Sequence, residues 1–428
     1  MACTCVVGLQ WGDEAKGKIV DLLTDRHDVV VRYNGGANAG HTVVCDGKTY
    51  KLSLLPTGVI HPKIQSVIGN GVVVYPPRFL EEIDNLRKAG IPVGSNLALS
   101  DHAHVIFPYH MEEERLSEQG TEQAIGTTGR GIGPCYQDKV GRVCAIRVGE
   151  LLYPAPLREK LRTIVDRKNR ILKALSPSAA TFDAGALCDE YLDYAEKMRP
   201  HITDTSRLLH RALGDGKSIL FEAAQGSLLD IDHGTFPYVT SSNSSPAGIW
   251  SGSGIPARRV DRIIGVLKAY STRVGRGPFP TELNDGPEGI GDRIRRTGRE
   301  YGTVTGRPRR CGWFDAVAAR YSATLAGADE LTVMLLDVLS VVDELSICTA
   351  YELDGDKIDY FPADAYLLER CKPLYESMPG WRTDISKMRR LSDLPETARR
   401  YVDRISELLE IPVKIVSVGP DREQTIIS

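Results

Sequence analysis

An apolar run over residues 3–9 leads straight into Gly12-Asp-Glu-Ala-Lys-Gly-Lys18-Ile19, and a helical pattern starts inside that loop. A buried strand, a glycine-lysine turn and a helix in this order form a phosphate cradle, in which bare backbone N–H groups and a lysine meet the anion. The spacing of Gly12, Gly17 and Lys18 is that of a phosphate-binding loop. One position departs from it. The Ser or Thr that should follow Lys18 and ligate Mg2+ is Ile19, so the metal must be held by another group. Asp13 and Glu14, inside the loop, are the available oxygen ligands or bases. Carboxylates in an anion-binding loop repel the anion, so a purely structural role does not account for them.

The rest of the chain supports the same architecture. Strands are expected over residues 3–8, 29–33, 67–74, 218–222, 262–270, 331–338 and 413–418, with helices between them at 78–89, 157–175 and 314–326. The strand segments are continuously apolar, which suits a sheet covered on both faces. The order predicts an α/β fold: a P-loop-type, doubly wound and predominantly parallel sheet with helical insertions. No internal repeat or linker divides the chain, so residues 1–428 are expected to form a single domain. The charges of 157–175 (Arg158, Lys160, Arg162, Asp166, Arg167, Arg170, Lys173) read as a solvated helix face, and 346–406 as helices and turns.

Composition narrows the function. A net charge of -3 offers no surface for nucleic acid or an anionic membrane. No apolar stretch reaches the roughly 20 residues needed to span a bilayer. The nine cysteines are scattered without a CxxC pair, and the N-terminus enters a strand with no basic leader, as expected of a reduced, cytoplasmic protein. Cys3 and Cys5 point to one strand face and read as core. His102, His104 and His110 lack the cysteine or carboxylates that would complete a metal site, and Asp230 and Asp232 read as acceptors for their own loop.

In such a sheet ligands sit beyond the C-terminal strand ends. Five loops expected at that edge carry recognition chemistry: 34–42, with two asparagines and His41; 125–134, with threonines and Arg130 among glycines; 225–235; the hydroxyl-rich 239–246; and 302–313, with three arginines in the run 307–310. Hydroxyls, amides and arginines among glycines suit phosphate and carboxylate groups.

Taken together, Gln10-Trp-Gly-Asp-Glu-x-Lys-Gly-Lys18, Asn38-Ala-Gly-His-Thr42, Gly126-Thr-Thr-Gly-Arg-Gly-Ile-Gly-Pro134, Gly306-Arg-Pro-Arg-Arg310 and Gly419-Pro-Asp-Arg422 resemble the adenylosuccinate synthetase family over essentially the whole chain. The resemblance implies a ligase that condenses IMP with L-aspartate at the expense of GTP through a 6-phosphoryl intermediate, the committed step toward AMP. By resemblance Asp13 takes the N1 proton of IMP, His41 stabilises the transferring phosphoryl, and Gln225 joins them as a catalytic residue. The implied Mg2+ sits at the carboxylate of Asp13 and the carbonyl of Gly40, and Lys16 and Lys18 neutralise phosphate charge.

Further roles carry over by resemblance. IMP falls to Asp13, Lys16, Asn38, Ala39, Gly40, His41, Thr128, Gln225, Thr240 and Arg307, with Arg142 reaching the IMP phosphate of a neighbouring subunit in a homodimer. GTP falls to Gly12, Asp13, Glu14, Ala15, Lys16, Gly17, Lys18, Gly40, His41, Thr42 and Arg309, and its base to Leu335, Leu336, Asp337, Ser417, Val418 and Gly419. Aspartate falls to Thr303, Val304, Thr305, Gly306, Arg307 and Arg309. Asp337 would accept from the guanine N1 and amino groups, an edge that adenine does not offer.

Three departures stand out. Ala15 and Ala223 replace frequent glycines, and Leu335 stands where some members carry a lysine; weaker base packing with retained GTP preference is expected. Two alternatives remain. A ligase aminating another purine nucleotide, such as a 2-amino-purine, has less need of Asp13. A GTP-binding regulatory protein needs the missing loop Ser/Thr and has no use for the arginine loop.

Overall fold

The computed structural model describes residues 3–45, 48–119, 124–302 and 306–428, apart from the side chains of Thr42 and Cys45. Its centre is a ten-stranded sheet. In chain order the strands are β1 (Cys3–Gly8), β2 (Val29–Arg32), β3 (Gln65–Ile68), β4 (Leu97–Ser100) and β5 (Ile202–Thr203). They continue with β6 (Ile219–Gly226), β7 (Arg262–Lys268), β8 (Glu330–Met334), β9 (Val413–Ser417) and β10 (Thr425–Ile427). Across the sheet they lie β10-β9-β8-β7-β1-β6-β2-β3-β4-β5, parallel except for β10. Every residue of β1 is buried, because both faces of the sheet are covered. Cys3, Cys5 and Val7 pack on one side with Val31, Phe221 and Val333. Val6 packs on the other with Ile19 and Val20 of helix α1 (Lys16–Thr24).

The predicted doubly wound, mostly parallel sheet is therefore present, as is the strand–loop–helix unit at its centre. The helical insertion fills the path from β4 to β5: α3 (Pro108–Glu118), α4 (Ile132–Gly141), α5 (Pro154–Leu175) and α6 (Ala184–Met198), following α2 (Pro76–Lys88). On α5 the buried stripe runs through Leu157, Leu161, Ile164, Val165 and Leu172, and the charges named above are exposed or half-buried.

Two strand runs end well before the expected residue, while β6 runs on to Gly226. The 67–74 run breaks after Ile68, and Val73–Val74 pairs with His104–Val105 in a separate ladder. The break falls at Gly69 and Gly71, where an added Cβ would lie 2.3 Å from the Gly252 carbonyl oxygen and 2.1 Å from that of Tyr33. The 331–338 run ends at Met334 because Leu335 is left-handed (φ 61) and opens the 3-10 turn Leu336–Val341.

The region 346–406 holds more than helices and turns. A second sheet joins Phe314–Asp315, Glu344–Leu353, Asp356–Ile358 and Lys372–Pro379. Its strands are half exposed, so their apolar residues are diluted by charge. The available signal was Asp354-Gly355, both with positive φ, which makes the two-residue hairpin turn after Leu353.

Asp315 caps the helix Ala316–Ala326, accepting from the Ala318 N–H at 3.0 Å and from the Tyr351 hydroxyl at 2.7 Å. Complete burial lifts its carboxyl to about 6, against 3.8 for a free side chain. A raised carboxyl pKa means that its stabilisation is present below the unfolded value and lost as pH climbs through the folded one. Asp315→Asn keeps a capping acceptor and removes that loss. Its stability relative to the parent should rise by about 3 kcal/mol between about pH 4 and about pH 7, measured by denaturant unfolding. A difference that stays constant over this range would contradict the raised value.

Candidate active site

The loop after β1 divides its two acids. Glu14 is fully buried, and its carboxylate accepts from the backbone N–H of Gln10 at 3.1 Å and Gly12 at 2.9 Å, with the Lys16 ammonium at 2.6 Å. The carboxylate occupies space that only glycine leaves open: a Cβ on Gly8 would come within 2.3 Å of it and one on Gly226 within 2.4 Å. The side chain of Glu14 is thus the internal strut of the loop, which corrects its reading as an oxygen ligand or base. Asp13 keeps a carboxylate with 31% of its surface exposed, and pairs there with Arg309 Nε at 2.7 Å. Both Asp13 (φ 59) and Ala15 (φ 62) are left-handed, so the Ala15 departure carries strain of about 1 kcal/mol that a glycine would avoid. Ile19, at the missing Ser/Thr position, is buried in the core under the sheet.

Neither lysine is placed as the motif suggested. Lys16 and Lys18 are both buried. Lys16 reaches Glu14, while Lys18 Nζ donates to Ser417 Oγ at 2.8 Å, the Gly419 carbonyl at 2.8 Å and the Gln424 carbonyl at 2.9 Å. Burial lowers the Lys18 ammonium to about 8, with Asp337 and Asp421 limiting the drop.

The loops after β2 and β6 meet. Glu222, fully buried near the end of the apolar run of β6, ion-pairs with His41 Nδ1 and accepts from both the N–H and the hydroxyl of Thr57, each at 2.8 Å. Burial pushes the Glu222 carboxyl up, but His41, Thr57 and Arg32 outweigh it and hold it below the ordinary range. This contact engages the Nδ1 side of the imidazole and leaves Nε2 as the other ring nitrogen. Asn38 Oδ1 accepts from Gln225 Nε2 at 3.1 Å and from the Gly36 N–H at 3.2 Å. Asn34 pins the same loops together, donating to Ser242 Oγ at 3.2 Å and accepting from the Ala224 N–H at 2.9 Å. Gln225 is itself left-handed (φ 61), and its Oε1 is buried without a partner among the described residues, as are Thr240 Oγ1 and Asp337 Oδ1. Asp230 spends its carboxylate on the N–H groups of Asp232, His233 and Ser245, as expected of a loop acceptor.

Two of the five loops are not strand-end loops. The 125–134 loop hangs on α3, whose Glu118 accepts from the N–H groups of Ile125, Gly126 and Thr127, and whose Glu114 accepts from Gly131 at 2.5 Å. Arg130 donates to the Ala37 carbonyl and so joins it to the His41 loop. Thr128 stays exposed on its rim. The arginine loop runs into Arg310–Gly312, which pairs antiparallel with Ser271–Arg273 beyond the end of β7. There Arg309 bridges Asp13 to Glu300 (2.6 Å), a buried acid that also accepts from Lys268 Nζ at 2.7 Å and the Tyr270 hydroxyl at 2.6 Å. Burial opposes the Arg309 charge, yet Asp13 and Glu300 raise its pKa above the ordinary value.

The structure thus gathers Asp13, His41, Asn38, Gln225, Thr240 and Arg309 at one edge of the sheet, with Asp337, Ser417, Val418 and Gly419 beyond the ends of β8 and β9. It does not bring Arg142 to them. Arg142 caps the far end of α4, about 15 Å of helix away from the glycine loop. Thr303, Val304 and Thr305 lie outside the described residues, as does the side chain of Thr42; Gly306 and Arg307 are exposed. Sequence reasoning missed Glu222 and Glu300. An acid inside the apolar run 219–224 was a usable signal for Glu222. Glu300, set among arginines, offered none.

This arrangement matches known proteins over its full length. The family model described as adenylosuccinate synthetase covers residues 5–426. The chain belongs to the adenylosuccinate synthetase family. It is 50% identical to the adenylosuccinate synthetase of Streptococcus gordonii over 100% of this chain and 98% of that protein. Against that of Lactobacillus acidophilus it is 52% identical, again over 100% of this chain and 98% of the other. The fully ligated adenylosuccinate synthetase of Plasmodium falciparum superposes with a TM-score of 0.93 at 36% identity, covering 100% of both chains. The cyanophage S-2L succinoaminodeoxyadenylate synthetase, at 22% identity and a TM-score of 0.61 over 100% of this chain and 95% of that one, shares the fold alone. This family member is therefore a GTP-dependent ligase that condenses IMP with L-aspartate to adenylosuccinate in AMP synthesis, and the regulatory alternative falls away.

Proposed function

We propose that Asp13, His41 and Gln225 carry the chemistry, within one ligase domain spanning residues 1–428. The hypoxanthine 6-oxo group leaves poorly until it is phosphorylated. Asp13 takes the N1 proton of IMP, which makes O6 nucleophilic toward the γ-phosphate of GTP. His41, oriented by Glu222, donates from Nε2 to the transferring phosphoryl, and Gln225 adds a side-chain amide to the same charge. The aspartate amine then attacks C6 of the 6-phosphoryl intermediate and phosphate departs. Asp13, Glu14, Ala15, Lys16 and Gly17 offer their backbone N–H groups to GTP phosphates, Gly12 shapes the turn with its own N–H held by Glu14, and Arg307 and Arg309 face the aspartate carboxylates.

What carries this reading is that three of the buried oxygens without a partner among the described residues, Gln225 Oε1, Thr240 Oγ1 and Asp337 Oδ1, stand on the loops at this sheet edge. Buried polar atoms elsewhere in the chain also lack a protein partner, but these three face the loops that carry the recognition chemistry, where a substrate group can complete the bond. The first two fall at the IMP end and the third at the base end.

The donor set suits Mg2+. Asp13 presents the loop's outward carboxylate, and Gly40 is an exposed backbone position beside His41. No cluster of three His, Cys, Asp or Glu stands among the described residues. Mg2+ takes one or two carboxylates together with substrate phosphates, which is what Asp13 and the Gly40 carbonyl would supply. Bound there, it would neutralise phosphate charge.

The enzyme acts as a homodimer in which Arg142 completes the partner's IMP phosphate site. Arg142 projects from its own site and is flanked by Val140, 78% exposed, and Val143, 68% exposed, apolar surface suited to a second copy of the chain. The eight described cysteines are all free and buried, which supports a cytoplasmic setting. Mixing Arg142→Leu protein with Asp13→Ala protein should restore part of the activity, since one site of a mixed dimer then owns both intact residues. Exchange of subunits without any recovery would remove the shared site.

A further inference from the structure

The motif casts Lys18 as a phosphate lysine, but its surroundings are those of a tether. Its ammonium has three donor hydrogens, and the structure supplies three acceptors: Ser417 Oγ, the Gly419 carbonyl and the Gln424 carbonyl, at 2.8 to 2.9 Å. Ser417 ends β9, and Gly419 and Gln424 belong to the turn between β9 and β10. That turn also closes on itself, with the Val418 N–H donating to the Gln424 carbonyl at 3.0 Å and the Asp421 N–H to Gln424 Oε1 at 3.1 Å. The ammonium thus caps carbonyls that point inward from a tight loop. Asp337 is the largest attractive influence on the Lys18 charge.

We propose that Lys18 is a positioning residue for base recognition: its buried ammonium ties the first turn of α1 to the 417–424 turn and sets the distance between Asp337 and Ser417–Gly419. This rests on the reading that those residues meet the guanine base. A phosphate-neutralising lysine contributes equally whatever base the nucleotide carries. A tether of the base pocket contributes in proportion to the contacts the base makes. The two roles separate when GTP is compared with ITP, which has the same triphosphate and ribose but lacks the 2-amino group that Asp337 would accept from.

The experiment measures kcat/KM for GTP and for ITP in the parent protein, in Lys18→Met, in Lys18→Arg and in Asp337→Asn, together with KM for IMP. Lys18→Met should reduce the GTP-to-ITP ratio by about tenfold, the order of one charge-assisted hydrogen bond, while KM for IMP moves by less than about twofold. Lys18→Arg keeps the positive charge in a planar fork that does not fit three converging acceptors, so it should lose the ratio as well. Equal falls for GTP and ITP in Lys18→Met, or a ratio preserved by Lys18→Arg, would overturn the proposal in favour of a phosphate role. Should Lys18→Met fail to fold, Lys18→Arg alone decides. Asp337→Asn serves as the reference: if it leaves the ratio intact, the base-reading assignment fails, whereas a ratio lost there and kept in the Lys18 variants sinks only the tether.

Discussion

Asp13→Asn and His41→Asn proteins are expected to bind IMP normally yet turn over at least about a hundredfold more slowly, the low end of what a general acid or base contributes. Asparagine at 13 keeps the shape that pairs with Arg309, but it cannot take the N1 proton, and it weakens the Mg2+ site. Asparagine at 41 breaks the ion pair with Glu222, a contact between two buried side chains, and withdraws the donor from the transferring phosphoryl. Positional exchange of the GTP β,γ-bridging oxygen, with IMP present and aspartate absent, isolates the first chemical step. It should vanish in both variants. Exchange at the parental rate in either one would mean that its residue has no part in phosphoryl transfer. Because Arg309 already occupies Asp13, proton abstraction requires that pair to reorganise around the substrates. Glu300, itself held by Lys268 and Tyr270, pairs with the other side of the Arg309 guanidinium.

Replacing Asp337 by Asn should weaken GTP binding by about 2–5 kcal/mol, the usual loss when one partner of a buried charged pair is removed. IMP binding should change little, since Asp337 sits at the end of β8 among base-pocket residues. Burial lifts the Asp337 carboxyl above its ordinary value, and Lys18 counteracts the rise. A buried carboxylate with one oxygen unpartnered among the described residues is suited to accept from a purine edge. Titration of GTP and IMP by calorimetry measures both affinities. An equal loss for the two ligands would show that Asp337 supports the fold and does not read the base.

Local chemistry made much of this enzyme legible. The continuous apolar run of β1 demands a sheet covered on both sides, and the glycines and lysines after it demand a tight turn into a helix. Both follow from short-range sterics and from the burial of a strand, so neither needs distant partners. The core placement of Cys3 and Cys5 was readable on the same grounds, whereas the meeting of Asn38 with Gln225, 187 residues apart, was implied only by the resemblance. The half-exposed second sheet was not, because its pairings join 344–353 to 372–379 and its apolar faces are broken by charge.

What the tertiary structure alone decided is where the buried charges end. Glu14 and Asp13 are adjacent in the chain, yet one is folded under the loop and the other meets Arg309, almost 300 residues away. Lys18 looks like a phosphate ligand until the turn after β9 arrives from 399 residues along the chain to take its ammonium. An ionised group buried in a protein interior must find a partner, and the identity of that partner depends on which distant segments the sheet order brings together. A motif specifies the group; the topology selects the atom it touches.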